Sequence, residues 1–131
     1  MITFKDAVTA SEYQYLHPMI KAIAEDFDLL SGFFDVKLPV ATRVTAHIKG
    51  SSGVHELRRA IDFRYLGVYS EKDANTIVEM LNNKYLRKDT FKTAIIHSFQ
   101  GGPMHFHLQA ASSHEYYEDP QKWYNLYNVS T

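Results

Sequence analysis

His55 and Asp62 stand seven residues apart in Gly53-Val54-His55-Glu56-Leu57-Arg58-Arg59-Ala60-Ile61-Asp62-Phe63-Arg64. Further on, His105 and His107 flank Phe106 in Met104-His105-Phe106-His107-Leu108-Gln109. Two imidazoles and a carboxylate are the ligand set of an open catalytic zinc site. The chain has no cysteine, so disulfides, thiolate metal sites and thiol catalysis are excluded. Any transition-metal site here must use His, Asp or Glu, and the seven histidines make that feasible.

The spacing constrains how such a site could form. Seven is odd, so one unbroken strand would turn His55 and Asp62 to opposite faces. If the two cooperate, the chain between Val54 and Arg59 must turn. His105 and His107, two apart, share a face of any strand that carries them.

The surrounding elements can be read from period. Pro18 suits a first helical position, Ile20, Ile23, Ala24, Phe27 and Leu30 keep helical spacing, and Gly32 is a stop, which predicts a helix over 18–31. Residues 40–48 alternate and predict a strand, with Val40, Val44 and Ile48 on one face and Arg43, Thr45 and His47 on the other. Residues 60–66 alternate again, with Ile61, Phe63 and Tyr65 opposite Ala60, Asp62 and Arg64. Ser70 is an N-cap for a helix over 71–86, whose stripe is Ala74, Ile77, Val78, Leu81 and Tyr85. Residues 93–99 and 104–110 predict a hairpin joined by Gln100-Gly101-Gly102-Pro103, with Met104, Phe106 and Leu108 toward the core. His105, His107 and Gln109 then face out or line a cleft. Tyr13 and Leu16 fit either a first helix or a docking arm. Asp119-Pro120 opens a short terminal helix in which Trp123, Leu126 and Tyr127 pack on the body. The order predicts one α+β domain over residues 1–131, a mainly antiparallel sheet covered by helices.

Composition narrows the function classes. Lys plus Arg is 14 against 15 Asp plus Glu, a net charge of −1, so neither a nucleic-acid surface nor a polybasic membrane patch is expected. No apolar run is long enough to span a membrane. The start, Met1-Ile2-Thr3-Phe4-Lys5-Asp6, lacks the basic and apolar blocks of a signal peptide. Synthesis in a cytosol is expected, and action outside would need another route of release.

Ser52-Gly53-Val54-His55 followed by Arg59-Ala60-Ile61-Asp62 resembles the first motif of the zinc D-alanyl-D-alanine carboxypeptidase and phage L,D-endopeptidase group. That motif reads Ser, a spacer, His, two residues, Gly, one residue, Ala, one residue, Asp. His105-Phe106-His107 resembles the last motif of the group, and hedgehog signalling domains share its fold and metal ligands. The resemblance covers roughly residues 40–110. It implies a hedgehog/DD-peptidase-like fold and a zinc cofactor held by His55, Asp62 and either His107 or His105, with His107 favoured by family habit. It implies that His105 flanks the metal and stabilises an oxyanion or moves a proton. Arg43 would hold a substrate carboxylate or the transition state, and Ser52 would help bind substrate. The partner so implied is a peptide of bacterial peptidoglycan, and the source a phage or prophage protein released at host lysis or carried in a virion.

The chain departs from the group in three places. Arg58 stands where the motif has Gly, and Gly53 stands where it has Ser. The catalytic Glu or Asp expected shortly before the last ligand is missing, for no Asp or Glu lies between Asp89 and Glu115. A binding or structural module that kept zinc but lost hydrolysis is therefore the alternative expectation. Taken singly, His17, His47, His97 and His114 read as surface residues and Arg43 as a solvated strand residue. His105 with His107 reads equally as the polar face of an amphipathic strand. Gly101-Gly102 is a turn and not a phosphate loop, since no helix start with Lys-Ser/Thr follows.

Overall fold

The computed structural model describes residues 1–45, 55, 57–98, 101–121 and 123. Its elements run β1 (Thr3–Phe4), α1 (Ala7–Tyr13), α2 (Pro18–Phe33), β2 (Val40–Arg43), β3 (Ala60–Arg64), α3 (Glu71–Lys84), β4 (Ala94–His97), β5 (His105–Gln109) and a 3-10 turn at His114–Tyr116. Among the described residues this is an α+β fold with three helices and one five-stranded mixed sheet, ordered β1-β2-β3-β5-β4. Only β1 with β2 is parallel; the other neighbouring pairs are antiparallel. No helix among the described residues is long and apolar enough to cross a membrane.

The two long helices supply one face of the core. α2 buries Met19, Ile20, Ile23, Ala24 and Phe27, the three-and-four spacing read from sequence. Phe27 is its centre, with ring centroids 4.4 Å from Phe63 on β3 and 4.9 Å from Phe106 on β5. Those two residues are cross-strand partners, as are Ile61 and Leu108, so they form the apolar face of the sheet. α3 starts where Ser70 accepts from Asp73 N, and it buries Ala74, Ile77 and Leu81. Its Asn82 amide exchanges two hydrogen bonds with the backbone of Ala94, 2.9 and 2.8 Å long, which fixes β4 to the helix.

Several expectations are corrected. The first strand of residues 40–48 ends at Arg43, and residues 46–48 lie outside those described. The helix over 18–31 runs to Phe33, because the chain reverses at Asp35 (φ 66°) and not at Gly32. Met104 does not join the core: it precedes β5 and is 40% exposed. Residues 1–16 make β1 and α1, the latter capped by Asp6, whose carboxylate accepts from Thr9 N at 2.8 Å. Of the terminal helix, residues 124–131 lie outside those described, but Trp123 is buried and stacks on Tyr85 with centroids 5.3 Å apart.

His17, read as a surface residue, is the N-cap of α2: its Nδ1 accepts from Met19 N at 3.2 Å. An accepting nitrogen must be unprotonated. Burial, with the Arg59 charge, lowers the His17 pKa below its ordinary 6.5. The unfolded chain therefore binds the proton more readily, so the stability from this cap is full above pH ~6.5 and is lost as pH falls below it. Replacing His17 by Asn, which caps without titrating, should flatten the loss of thermal stability between neutral and mildly acid pH. Equal pH profiles for wild type and His17→Asn would refute this role.

Candidate metal centre

The face of the sheet away from Phe27 carries polar side chains in register. β3 and β5 pair Asp62 with His107, Arg64 with His105 and Ala60 with Gln109. β4 adds His97 opposite His105 and Ile95 opposite His107. Arg43 reaches the same face through a bulge. Ala41 pairs with Phe63 on the core side, yet Arg43, two residues on, pairs with Asp62 on the polar side. The extra residue re-aims one side chain, as bulges do.

His55 arrives by a turn. Arg58 N donates to His55 O at 2.9 Å, and Arg58 holds φ 61°. Arg58 O and Arg59 O then accept from His17 N and Ala110 N, at 3.0 and 2.8 Å, tying the turn to α2 and to the residue after β5. The chain thus reverses between His55 and Asp62, and the odd spacing no longer separates them. Arg58 takes the left-handed conformation that glycine adopts without strain, at the position where the resembled motif has Gly.

Asp62 is the hub of the centre. Its Oδ1 lies 2.9 Å from His107 Nδ1 and 3.2 Å from His55 Nε2. Its Oδ2 lies 3.3 Å from His105 Nε2 and 3.7 Å from Arg43 Nη1. His55, Asp62, His107 and Arg43 are all buried, with 2, 2, 5 and 6% exposure. His55, Asp62 and His107 offer ligand atoms within 4.8 Å of one another, and Asp62, His97 and His105 form a second such group. The group His55–Asp62–His107 is therefore able in geometry to hold a metal ion.

The outer hydrogen bonds fix which nitrogens face inward. His55 Nδ1 lies 2.7 Å from Val44 O, and a carbonyl can only accept, so Nδ1 carries the hydrogen. The Gln109 amide nitrogen donates to Lys92 O at 2.9 Å, which leaves Oε1 to accept from His107 Nε2 at 3.0 Å. In their neutral rings, His55 Nε2 and His107 Nδ1 then carry lone pairs, and both aim at Asp62 Oδ1. Three electron-rich atoms face one another with no hydrogen assigned between them, so a cation or a proton belongs there. Neighbouring ligand atoms on a tetrahedral metal are ~3.3 Å apart for bonds of ~2.0 Å, close to the spacings here. Second partners that set the tautomer are a recurrent feature of metal-binding His.

Burial pushes the Asp62 carboxyl up, but a hydrogen or positive charge that His107 and His55 turn toward it outweighs burial and holds the group well below the usual carboxylate range. Burial works against the Arg43 charge, and Asp62 opposes that effect. His97 is lowered to about 4, first by burial and then by His107 and His105.

The structure brings together His55, Asp62, His107, His105 and Arg43. Ser52, and with it His47, lies outside the described residues. Arg43 is not a solvated strand residue. His97, read as a surface residue, sits with its ring centroid 4.7 Å from His105 and 5.2 Å from His107. Gln109 was noted only for its face; its link to His107 depends on Lys92, seventeen residues away. Comparison of the chain with family models, curated proteins and solved structures finds no match in any of the three.

Two outcomes are expected. A divalent transition metal at about a hundred times its Kd should stabilise the fold by ~2.7 kcal/mol, a rise in melting temperature of a few degrees. Asp62→Ala should remove that rise; a full rise in the variant would dismiss the centre. Arg58→Gly should relieve the left-handed strain and raise stability by up to ~1 kcal/mol in urea denaturation. A clear drop would mean that the contact of Arg58 with the Tyr15 ring, at 5.7 Å, outweighs the strain.

Proposed function

We propose that this chain is a zinc-dependent peptidase-like domain of the hedgehog/DD-peptidase fold, acting on peptide bonds of bacterial peptidoglycan. The observation that carries the reading is the approach of His55 Nε2 and His107 Nδ1, each imidazole oriented from behind, to Asp62 Oδ1. Two imidazoles and a carboxylate suit zinc, and the chain has no cysteine to offer a thiolate. Bound there, zinc would supply Lewis acidity that activates water near neutral pH and polarises a carbonyl. The resemblance of residues 52–62 and 105–107 to the carboxypeptidase and endopeptidase motifs supplies the substrate class. On this reading the protein meets the wall after host lysis or as part of a virion.

Hydrolysis of a peptide bond adds water to the carbonyl carbon, breaks the C–N bond and moves a proton to the leaving nitrogen. Arg43, held beside the ligands by the bulge, contributes a permanent positive charge toward the oxyanion. His105 is placed to move the proton. Its Nδ1 lies 3.3 Å from Pro103 O, so the hydrogen sits there and Nε2 carries the lone pair inside the centre. Its side chain is 18% exposed against 2 and 6% for His55 and His107, which leaves it a path to solvent.

A second reading keeps the metal and drops the chemistry: a zinc-stabilised wall-binding or virion module. It is favoured by one observation. Among the described residues Asp62 is the sole carboxylate of the metal-binding groups, so no acid stands where the family places its base.

Purified wild-type protein should release peptides from isolated peptidoglycan and lose that activity to a chelator. His105→Ala should lower the rate by about a hundredfold or more while metal content stays full. Loss of metal would make His105 the ligand in place of His107, and unchanged turnover would put the base elsewhere. Wild type that binds zinc yet never cleaves peptidoglycan would leave the second reading.

A further inference from the structure

A cleft of about 340 Å³ opens beside the centre, lined by Leu57, Arg59, Arg87, Phe91, Gln109 and Tyr116 among others. It is joined to the centre covalently and by hydrogen bonds. Leu57 and Arg59 belong to the turn between His55 and Asp62, and Gln109 holds His107. Resting on the reading of the centre as a peptide-hydrolysing site, we propose that this cleft is a substrate subsite that takes a carboxylate of the peptide beside the scissile bond.

The walls are two-natured. Leu57, Phe91 and Tyr116 are large apolar residues left 62, 62 and 47% exposed around one concavity, which suits small aliphatic side chains. Between them stand two guanidinium groups. Arg59 spends Nη1 on Ala110 O at 2.8 Å. Arg87 is the more telling: its side chain is only 10% exposed, and its Nε makes no hydrogen bond among the described residues. It lies 5.3 Å over the Phe91 ring, and Nη2 meets Asp89 Oδ2 at 2.7 Å. Asp89, also in the lining, thus cancels one of the two positive charges and leaves one. Guanidinium forks bind carboxylates in a fixed plane, and here an internal carboxylate already occupies part of one fork. An incoming carboxylate would compete with Asp89 or bridge to Arg59. A peptide rich in small aliphatic residues and bearing free carboxylates matches this surface.

The test uses the zinc-loaded full chain and two probes. One is the stem peptide L-Ala-γ-D-Glu-L-Lys-D-Ala with free carboxylates; the other is the same peptide with those carboxylates amidated. Calorimetric binding should favour the free acid by about tenfold or more. Arg59→Gln and Arg87→Gln should each erase most of that preference. Asp89→Asn, which frees Arg87 and keeps an acceptor for Phe91 N, should tighten the acid and not the amide. That gain keeps the test decisive even if Arg87→Gln folds poorly. Equal affinity for both probes, no binding of either, or a preference that survives both Arg59→Gln and Arg87→Gln would overturn the subsite. Hydrolysis with the same KM for acid and amide would overturn it while leaving the peptidase reading intact. Arginine-dependent preference without cleavage would do the reverse.

Discussion

The buried carboxylate of Asp62 sets the terms for the rest of the domain. A charge with 2% exposure costs several kcal/mol in lost hydration unless partners replace the water. Here they come from three chain segments: His55 from a turn, His107 and His105 from β5, and Arg43 from β2. All but the His55 contact join segments distant in sequence, so the carboxylate is fully satisfied only once the sheet is in register. A one-residue slip of β3 against β5 would send Asp62 to the Phe27 side and Phe63 to the polar side. The charge and the aromatic core therefore specify the same register from opposite faces.

Two backbone irregularities bring this about. The bulge between Ala41 and Arg43 lets β2 give an apolar residue to the core and a cation to the centre within three positions. The left-handed Arg58 lets the chain return so that His55 and Asp62 meet. Irregular backbone of this kind costs on the order of a kcal/mol and persists where the surroundings hold it. Here the turn is held by hydrogen bonds from His17, the N-cap of α2, and from Ala110, just after β5.

Periodicity made the regular parts legible. α2, α3, β3 and β5 follow from three-and-four or alternating spacing, and the shared face of His105 and His107 follows from the pleat. The odd separation of His55 and Asp62 demanded a turn without giving its form. What escaped was what depends on pairing between distant segments. His97 lies on a four-residue strand with Ile95 and Ile96 before it, so alternation did not mark its face; only the pairing of β4 with β5 sets it against His105. Arg43 had the wrong apparent neighbours because a bulge leaves no period in sequence. His17 lacks the usual cap chemistry, and Pro18 alone hinted at the helix start. The hydrogen bond from His107 to Gln109 required knowing where Lys92 O lies.

The two oxygens of Asp62 also distinguish its two candidate metal groups. Its oxygens are unlike: Oδ1 meets only imidazoles in the contacts described, whereas Oδ2 faces Arg43 at 3.7 Å. A guanidinium does not deprotonate in a protein. A divalent ion on Oδ2 would lie nearer that charge than one on Oδ1 and meet more of its repulsion. Arg43 thus directs a cation toward His55 and His107. The same asymmetry leaves His105 on the Oδ2 side, 3.3 Å from that oxygen.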